Sequence, residues 1–325
     1  MEDYDYSNES YEYDYEHMLC EKHDVRTFHS VFLPIIYFIA FLIGLIGNAV
    51  VVIVYSHKTA LKTVTDVCIL NLALADIALL FTLPLRALEA AYQWVLGLIL
   101  CKTTSFIYAF NFTGSAFLLA YIALDRYYVI VEGKWLEARL LWFGLLWGVA
   151  ILFSLPELIF PTVVNIHNKL VCSAVYAVEQ TQYVKAGLEV CEIILRFLIP
   201  CIAFSLCYGS IIYRLKRTTG FKKWRALCVL ILLILAFLIT QLPYNIVKLY
   251  RIFDVLYRFI IDCSSSKKLD YALQITKSLA LIHACLNPIL YTCVGSSFRK
   301  RFLDRFERLM GRESEVINSE SAFEI

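Results

Sequence analysis

This sequence is short of charge. Of its 325 residues, 18% are Asp, Glu, Lys or Arg and 60% are hydrophobic. A soluble domain carries about 25% charged residues and a smaller apolar share. The composition therefore excludes an ordinary water-soluble globule. The first stretch, MEDYDYSNESYEYDYE, holds no Lys or Arg. That excludes a signal peptide, which starts basic and then turns apolar. No inserted soluble domain and no internal repeat is evident. A transporter or channel would need repeats or a polar stripe along several helices, and neither is seen. No metal-ligand cluster and no nucleophile beside a base occurs, so no enzyme is expected. Nothing in the chain points to nucleic acid.

What is present is a series of apolar runs of ~20 residues or more, each long enough to cross a bilayer as a helix. Seven can be marked, at roughly 31–56, 65–92, 98–131, 138–162, 183–216, 223–255 and 268–294. They predict an all-α membrane protein, a seven-transmembrane helix bundle over 31–295. Residues 1–30 precede it as a disordered acidic tail. Residues 296–325 follow it as a short amphipathic helix eight and a cytoplasmic tail. Basic residues set the orientation. Lys58, Lys62, Lys134, Arg139, Arg214, Lys216, Arg217, Lys222, Lys223 and Arg225 fall in loops on one side, together with Arg299, Lys300 and Arg301. The positive-inside rule makes that side cytoplasmic, so the amino terminus is expected outside the cell. Residues 1–24 carry nine acids and one Lys, nine minus one giving a net −8. Such a segment cannot bury enough apolar surface to fold.

Cys20, Cys101, Cys172 and Cys263 fall in the outer tail, at the outer end of the third span and in outer loops. Oxidising conditions there permit two bridges. The other seven, Cys68, Cys191, Cys201, Cys207, Cys228, Cys285 and Cys293, lie within spans and read as small apolar packing.

Ionisable and strongly polar groups inside a bilayer are costly and usually functional. Asp76 sits mid-span in LNLALAD. Asn48, Ser115 and Asn287 fall at comparable depths. Together they form either a polar cluster around a sodium ion or water, or a hydrogen-bond knot, since their oxygens suit both roles. Asp125-Arg126-Tyr127 closes the third span at its cytoplasmic end as a plausible switch. Pro84, Pro156, Pro200, Pro243 and Pro288 are expected inside helices, where each removes a backbone donor and bends its helix.

GNxxV at Asn48, LxxxD at Asp76, DRY, Trp147, Pro200 with Tyr208, LPY at Leu242–Tyr244 and NPILY at Asn287–Tyr291 occur in order. This set resembles the rhodopsin-like class of G-protein-coupled receptors over the whole chain. TLP at Thr82–Pro84, WVLG at Trp94–Gly97, HACLNP at His283–Pro288 and the extra Cys20/Cys263 pair are similar to chemokine receptors. Gln241 stands where most rhodopsin-like receptors have Trp. It is similar to the CC-chemokine receptors that carry Gln there and to the atypical, scavenging branch of the family.

The resemblance implies a cell-surface receptor, multi-pass in the plasma membrane with an endosomal recycling route, that binds a basic CC chemokine. It implies internalising the ligand as a scavenger through arrestin or, alternatively, signalling through a heterotrimeric G protein, with lipid around the bundle. Tyr4, Tyr6, Tyr11, Tyr13 and Tyr15, flanked by acids, would be sulfated and grip Lys and Arg of the ligand. Asn8 is a glycan sequon on the outer side. Asn111 also begins a sequon, but it lies mid-membrane and is set aside. The ligand cavity is expected to be lined by Arg86, Glu89, Tyr108, Glu157, Glu192, Tyr244 and Lys277. Asp125, Arg126, Tyr127, Gln241, Pro243, Asn287, Pro288 and Tyr291 carry the activation motifs.

The chain departs from the family pattern at three positions. Lys277 stands where a Glu usually meets the ligand's amino terminus, Arg86 where a Trp is usual, and Arg196 where a small or apolar residue is usual. Arg196 is expected to pair with Glu192 four residues earlier, and Arg86 with Glu89. Lys277 has no acid on its own helix and must face Glu89, Glu157, Glu192, water or a ligand. An opsin's Lys would fall at Leu281, one helical turn or ~6 Å away. The second inner loop is short, which puts G-protein coupling in doubt.

Overall fold

A computed structural model describes residues 20–56, 63–133, 139–166, 168–176, 181–216, 221–294 and 302–303. The tail tyrosines, Asn8 and nearly all of the expected helix eight lie outside these residues, as does the side chain of Tyr291. The helices are α1 (His23–Tyr55), α2 (Val64–Ala91), α3 (Gly97–Tyr127, extended by a π-helical turn Tyr128–Glu132), α4 (Arg139–Ser154), a short α5 (Pro156–Ile159), α6 (Thr181–Ile193), α7 (Ile199–Lys216), α8 (Phe221–Tyr257) and α9 (Cys263–Val294). A π-helical turn, Ile194–Leu198, joins α6 to α7 as one continuous rod. Five of these rods, α1, α2, α3, the α6–α7 rod and α8, are long and apolar enough to cross a membrane. The apolar stretch of α4 is shorter, Leu141–Ser154. α9 is long, but carries Lys267, Lys268, Asp270 and Lys277.

α1 packs on α2 and α9, α3 on α2, α4 and α7, and α8 on α6 and α9. This places α3 at the centre, with buried residues along its whole length. Outward faces are apolar. Ile39, Ile46 and Ile53 recur every seven residues on α1 and are 47%, 67% and 48% exposed. A stripe of that kind suits hydrocarbon rather than water. α2 begins with a capping box, in which Thr63 Oγ1 accepts the Asp66 N–H and Asp66 Oδ2 accepts the Thr63 N–H. That arrangement satisfies two of the backbone donors a helix leaves free at its start.

Several sequence expectations need correction. α1 starts at His23, inside the stretch assigned to the disordered tail. The Cys20–Cys263 disulfide holds it there, with Lys22 bound to Asp270 at 2.6 Å and Lys267 to Asp24 at 3.1 Å. The fourth span does not run to 162. α4 stops at Ser154, and Pro156 begins α5 as its first residue rather than bending a continuous helix, the position proline tolerates best. The chain then forms an antiparallel hairpin, β1 (Pro161–Ile166) and β2 (Lys169–Ala174), in register from Pro161↔Ala174 to Ile166↔Lys169. Asn168, at φ 60°, turns it. Pro200 sits at the start of α7, just after the π turn. Its missing N–H leaves one carbonyl of that turn without a helical partner, which accounts for the local widening. Pro34, Pro84, Pro243 and Pro288 lie inside helices, and Pro200 inside the continuous α6–α7 rod.

Candidate functional site

Two disulfides mark one end of the bundle. Cys101–Cys172 ties β2 to the start of α3, and Cys20–Cys263 ties the chain before α1 to α9. Glu89 secures the hairpin further, since its Oε1 accepts the Cys172 N–H at 2.7 Å. Its Oε2 accepts from Arg86 Nη1 at 2.9 Å. Arg86 Nη2 donates to Ser105 Oγ at 2.7 Å, and the guanidinium lies over the Trp94 ring, 5.2 Å from its centre. Arg86 is thus engaged on three sides. It braces α2, α3 and the Trp94 loop, whose backbone N–H donates to Leu170 O. A cleft of about 450 Å3 opens among Lys22, Arg26, Ile166, Asp270 and Gln274.

Deeper in the same end, Glu192 collects two cations. Lys248 Nζ lies 2.5 Å from its Oε2, and Arg196 Nη1 lies 3.3 Å from its Oε1. Arg196 Nε donates to Thr113 Oγ1 at 2.8 Å. The network joins α6, the π turn, α3 and α8. Lys248 also sits over the Tyr244 ring at 5.9 Å. Lys277 projects from α9 over the Tyr108 ring at 5.3 Å. It makes no ion pair within 4 Å among the described residues, and neither does Glu157, which lies within electrostatic reach of Glu192, Arg196, Lys277 and Lys248. The Tyr108 hydroxyl is buried and has no hydrogen-bond partner among the described residues. The structure therefore brings Arg86, Glu89, Tyr108, Glu157, Glu192, Tyr244 and Lys277 to one end of the bundle. The expected pairs Arg86–Glu89 and Glu192–Arg196 form, and Lys277 rests on an aromatic face instead of a carboxylate. Sequence reasoning missed Lys248, which pairs across helices.

Mid-bundle, Asp76 is fully buried. Asn111 Nδ2 donates to its Oδ1 at 2.9 Å, and Asn287 Nδ2 to its Oδ2 at 3.1 Å. Asn111, set aside as a sequon, is thus the direct partner of Asp76; its place one helical turn before Ser115 was the available signal. Asn48 makes no hydrogen bond to Asp76 among the described residues. Its amide donates to Gly44 O and Ala284 O, pinning α1 to α9. Ser115 Oγ and Asn287 Oδ1 are buried without partners among the described residues. A carboxylate with nearby unsatisfied oxygens fits a hard cation such as sodium. Gln241 Nε2 donates to Ala280 O at 3.1 Å, bridging α8 and α9. A small cavity next to it is lined by Asn111, Ser115, Phe237, Gln241 and His283. Pro243 and Pro288 lie in α8 and α9.

At the opposite end, Arg126 Nη2 donates to the buried Asp125 Oδ2 at 2.8 Å, so Arg126 is held locally. Tyr127 Oη donates to Glu132 Oε1 at 3.1 Å. The π turn ends at Gly133, whose φ of 68° closes the helix with an N–H donated to Tyr128 O. A side chain would be strained in that left-handed conformation.

The sequence matches the family described as 7 transmembrane receptor (rhodopsin family) over residues 47–291. The chain is 41% identical to atypical chemokine receptor 4 of Bos taurus, covering 90% of this chain and 84% of that protein. It is 36% identical to C-C chemokine receptor type 9 of Ovis aries, covering 89% and 81%. It is 37% identical to human C-C chemokine receptor type 4, covering 90% and 82%. These proteins are receptors and not enzymes. The chain belongs to the rhodopsin family of seven-transmembrane receptors and, within it, to the chemokine receptors.

Proposed function

We propose that this protein stands in the plasma membrane with its acidic amino terminus outside, binds a basic CC chemokine and carries it into endosomes as an atypical scavenger. The observation that carries the binding reading is the mixed-charge end of the bundle. Glu157 and Lys277 lie there without ion-pair partners among the described residues, between two disulfides that fix the hairpin and α1. The tail supplies the first contact. Tyr4, Tyr6, Tyr11, Tyr13 and Tyr15, once sulfated, add anions to a segment already at net −8 and steer a basic ligand. Asn8 carries a glycan. Asp76, with Asn111, Ser115 and Asn287, holds a sodium ion.

Scavenging rather than signalling is favoured by two features. Lys277 repels a ligand ammonium at the position where a Glu would attract it. The π turn ends at Gly133 and α4 begins at Arg139, leaving little loop for a G protein. Arrestin is then the cytoplasmic partner. The Asp125–Arg126 pair favours the second reading, G-protein signalling, because the switch residues are intact.

The test applies a panel of fluorophore-labelled CC chemokines to intact cells that lack other chemokine receptors. Saturable binding and accumulation of at least one basic CC chemokine is expected, weakened when residues 1–19 are removed. No binding of any member would overturn the reading.

A further inference from the structure

The turn between α8 and α9 carries apolar side chains that no described residue covers. Tyr257 is 72% exposed, Phe259 44% and Ile261 95%. Apolar surface left open in this way marks a place that meets lipid or protein. Two features of α8 point to lipid. The first is a stripe. Exposed apolar residues recur every three or four positions from Leu232 through Ile239, Ile246 and Phe253 to Tyr257. The buried Lys248 lies on the other side, since nine residues at ~100° each carry Tyr257 half a turn around from it. At ~1.5 Å per residue the stripe is ~37 Å long, against a hydrocarbon core of ~30 Å. Lys222, Lys223 and Arg225 precede it in the same helix, so the excess length falls at the Tyr257 end, level with lipid headgroups. The second feature is the path of the chain. Arg258, at φ 51°, closes α8 with its N–H donated to Asp254 O at 2.8 Å. Phe259 then packs on Tyr250, ring centres 5.0 Å apart. Tyr250 lies seven residues before the helix ends and, two residues from Lys248, on the outward side. The turn therefore folds back along the face that α8 presents to hydrocarbon. The Arg258 side chain is exposed and makes no ion pair within 4 Å among the described residues. A cation between two aromatic residues suits the zone of lipid phosphates.

We propose that this turn anchors the disulfide end of the bundle in the membrane leaflet it meets. Tyr257, Phe259 and Ile261 enter the headgroup and upper acyl region, and Arg258 binds lipid phosphate. The occupant is phospholipid because the patch continues the lipid-facing stripe of α8. Asp262 caps α9, and Cys263 bridges to Cys20. The anchor therefore also sets the height of the start of α9, and of the tail's attachment, above the membrane. The inference concerns the bundle in a bilayer and is independent of which ligand the receptor binds.

The test uses the full-length receptor in phosphatidylcholine nanodiscs. Phe259→Cys and Ile261→Cys are each labelled with an environment-sensitive fluorophore. Ile166→Cys, at the exposed end of β1, serves as the aqueous reference. Unsubstituted receptor carried through the same labelling supplies the background from native thiols such as the exposed Cys191. One quencher is a lipid with a nitroxide near its headgroup, and the other is aqueous iodide. At both turn positions lipid quenching is expected to exceed that at the reference several-fold, and iodide quenching to fall several-fold below it. Arg258→Glu, added to Ile261→Cys, should lower the lipid quenching. Monodisperse elution of each variant separates a change of depth from misfolding. Iodide quenching at the turn as strong as at the reference would overturn the proposal. So would protection from iodide without lipid quenching, which would assign the patch to a protein partner, a second copy of this chain included. Lipid quenching undiminished by Arg258→Glu would overturn the phosphate contact.

Discussion

Replacing Glu192 by Gln should loosen the bundle by removing one negative charge that two cations share. Lys248 and Arg196 are 11% and 14% exposed, and Glu192 is 23% exposed, so solvent screens this network only partly. Breaking a buried pair by removing one partner costs ~3–5 kcal/mol because the other charge is left uncompensated. Gln keeps an acceptor for Lys248, which places the expected loss at the lower end, ~3 kcal/mol. At ~2 °C per kcal/mol for a chain of this size, the midpoint falls by ~6 °C. The assay is thermal unfolding of the detergent-solubilised receptor, followed by a thiol-reactive dye. Cys68, Cys207 and Cys285 are free and buried, and they react as the bundle opens. Adding Lys248→Met to Glu192→Gln removes the stranded ammonium and should recover about half of the loss. A midpoint within ~1 °C of wild type for Glu192→Gln, far below the ~6 °C expected for this loss, would refute the view that this network holds α6, α3 and α8 together.

Glu89→Gln should weaken the Arg86 brace and free the hairpin. Amide exchange at Leu170–Ala174 is expected to rise, by a local ~1–2 kcal/mol, with little change in α7. Sodium, in place of a bulky organic cation, should raise the unfolding midpoint of wild type by ~1 kcal/mol equivalent once it stands several-fold above its Kd; Asp76→Asn should abolish that response. Asp262 caps α9 by accepting the Ser265 N–H at 2.7 Å, and this bond holds its carboxyl below the usual range. A lowered folded-state pKa contributes stability above the unfolded value, and that contribution is lost as pH falls through the folded one. Acidification below the ordinary carboxylate range should therefore speed amide exchange at Ser264–Ser266, and Asp262→Asn should remove this pH dependence.

The spans were legible because lipid demands long apolar runs, and a run such as Phe32–Tyr55 cannot be hidden by composition. Their ends were less so. The start of α1 at His23 depends on a disulfide and ion pairs to α9, residues more than 240 positions away, and no local pattern encodes them. The fourth span was drawn to 162, past the end of α4 and two residues into β1, because PTVVNI is apolar enough to extend a helix, and the loop beyond it was not read as a hairpin. Its β-branched residues were the overlooked sign. Pairs along one helix, Glu192–Arg196 and Arg86–Glu89, followed from spacing alone. Pairs across helices, Lys248 with Glu192 and Asn111 with Asp76, required the rotation of each helix about its axis, which the sequence pattern fixes only loosely.

The most direct measurement of the central claim follows two quantities in the same cells for the same bound chemokine. One is accumulation inside the cell, and the other is activation of heterotrimeric G protein. Accumulation without activation is expected, with activation appearing when Lys277 is changed to Glu. Robust G-protein activation by the wild-type receptor would contradict it, and would make both the short loop after Gly133 and Lys277 tolerated features of a signalling receptor.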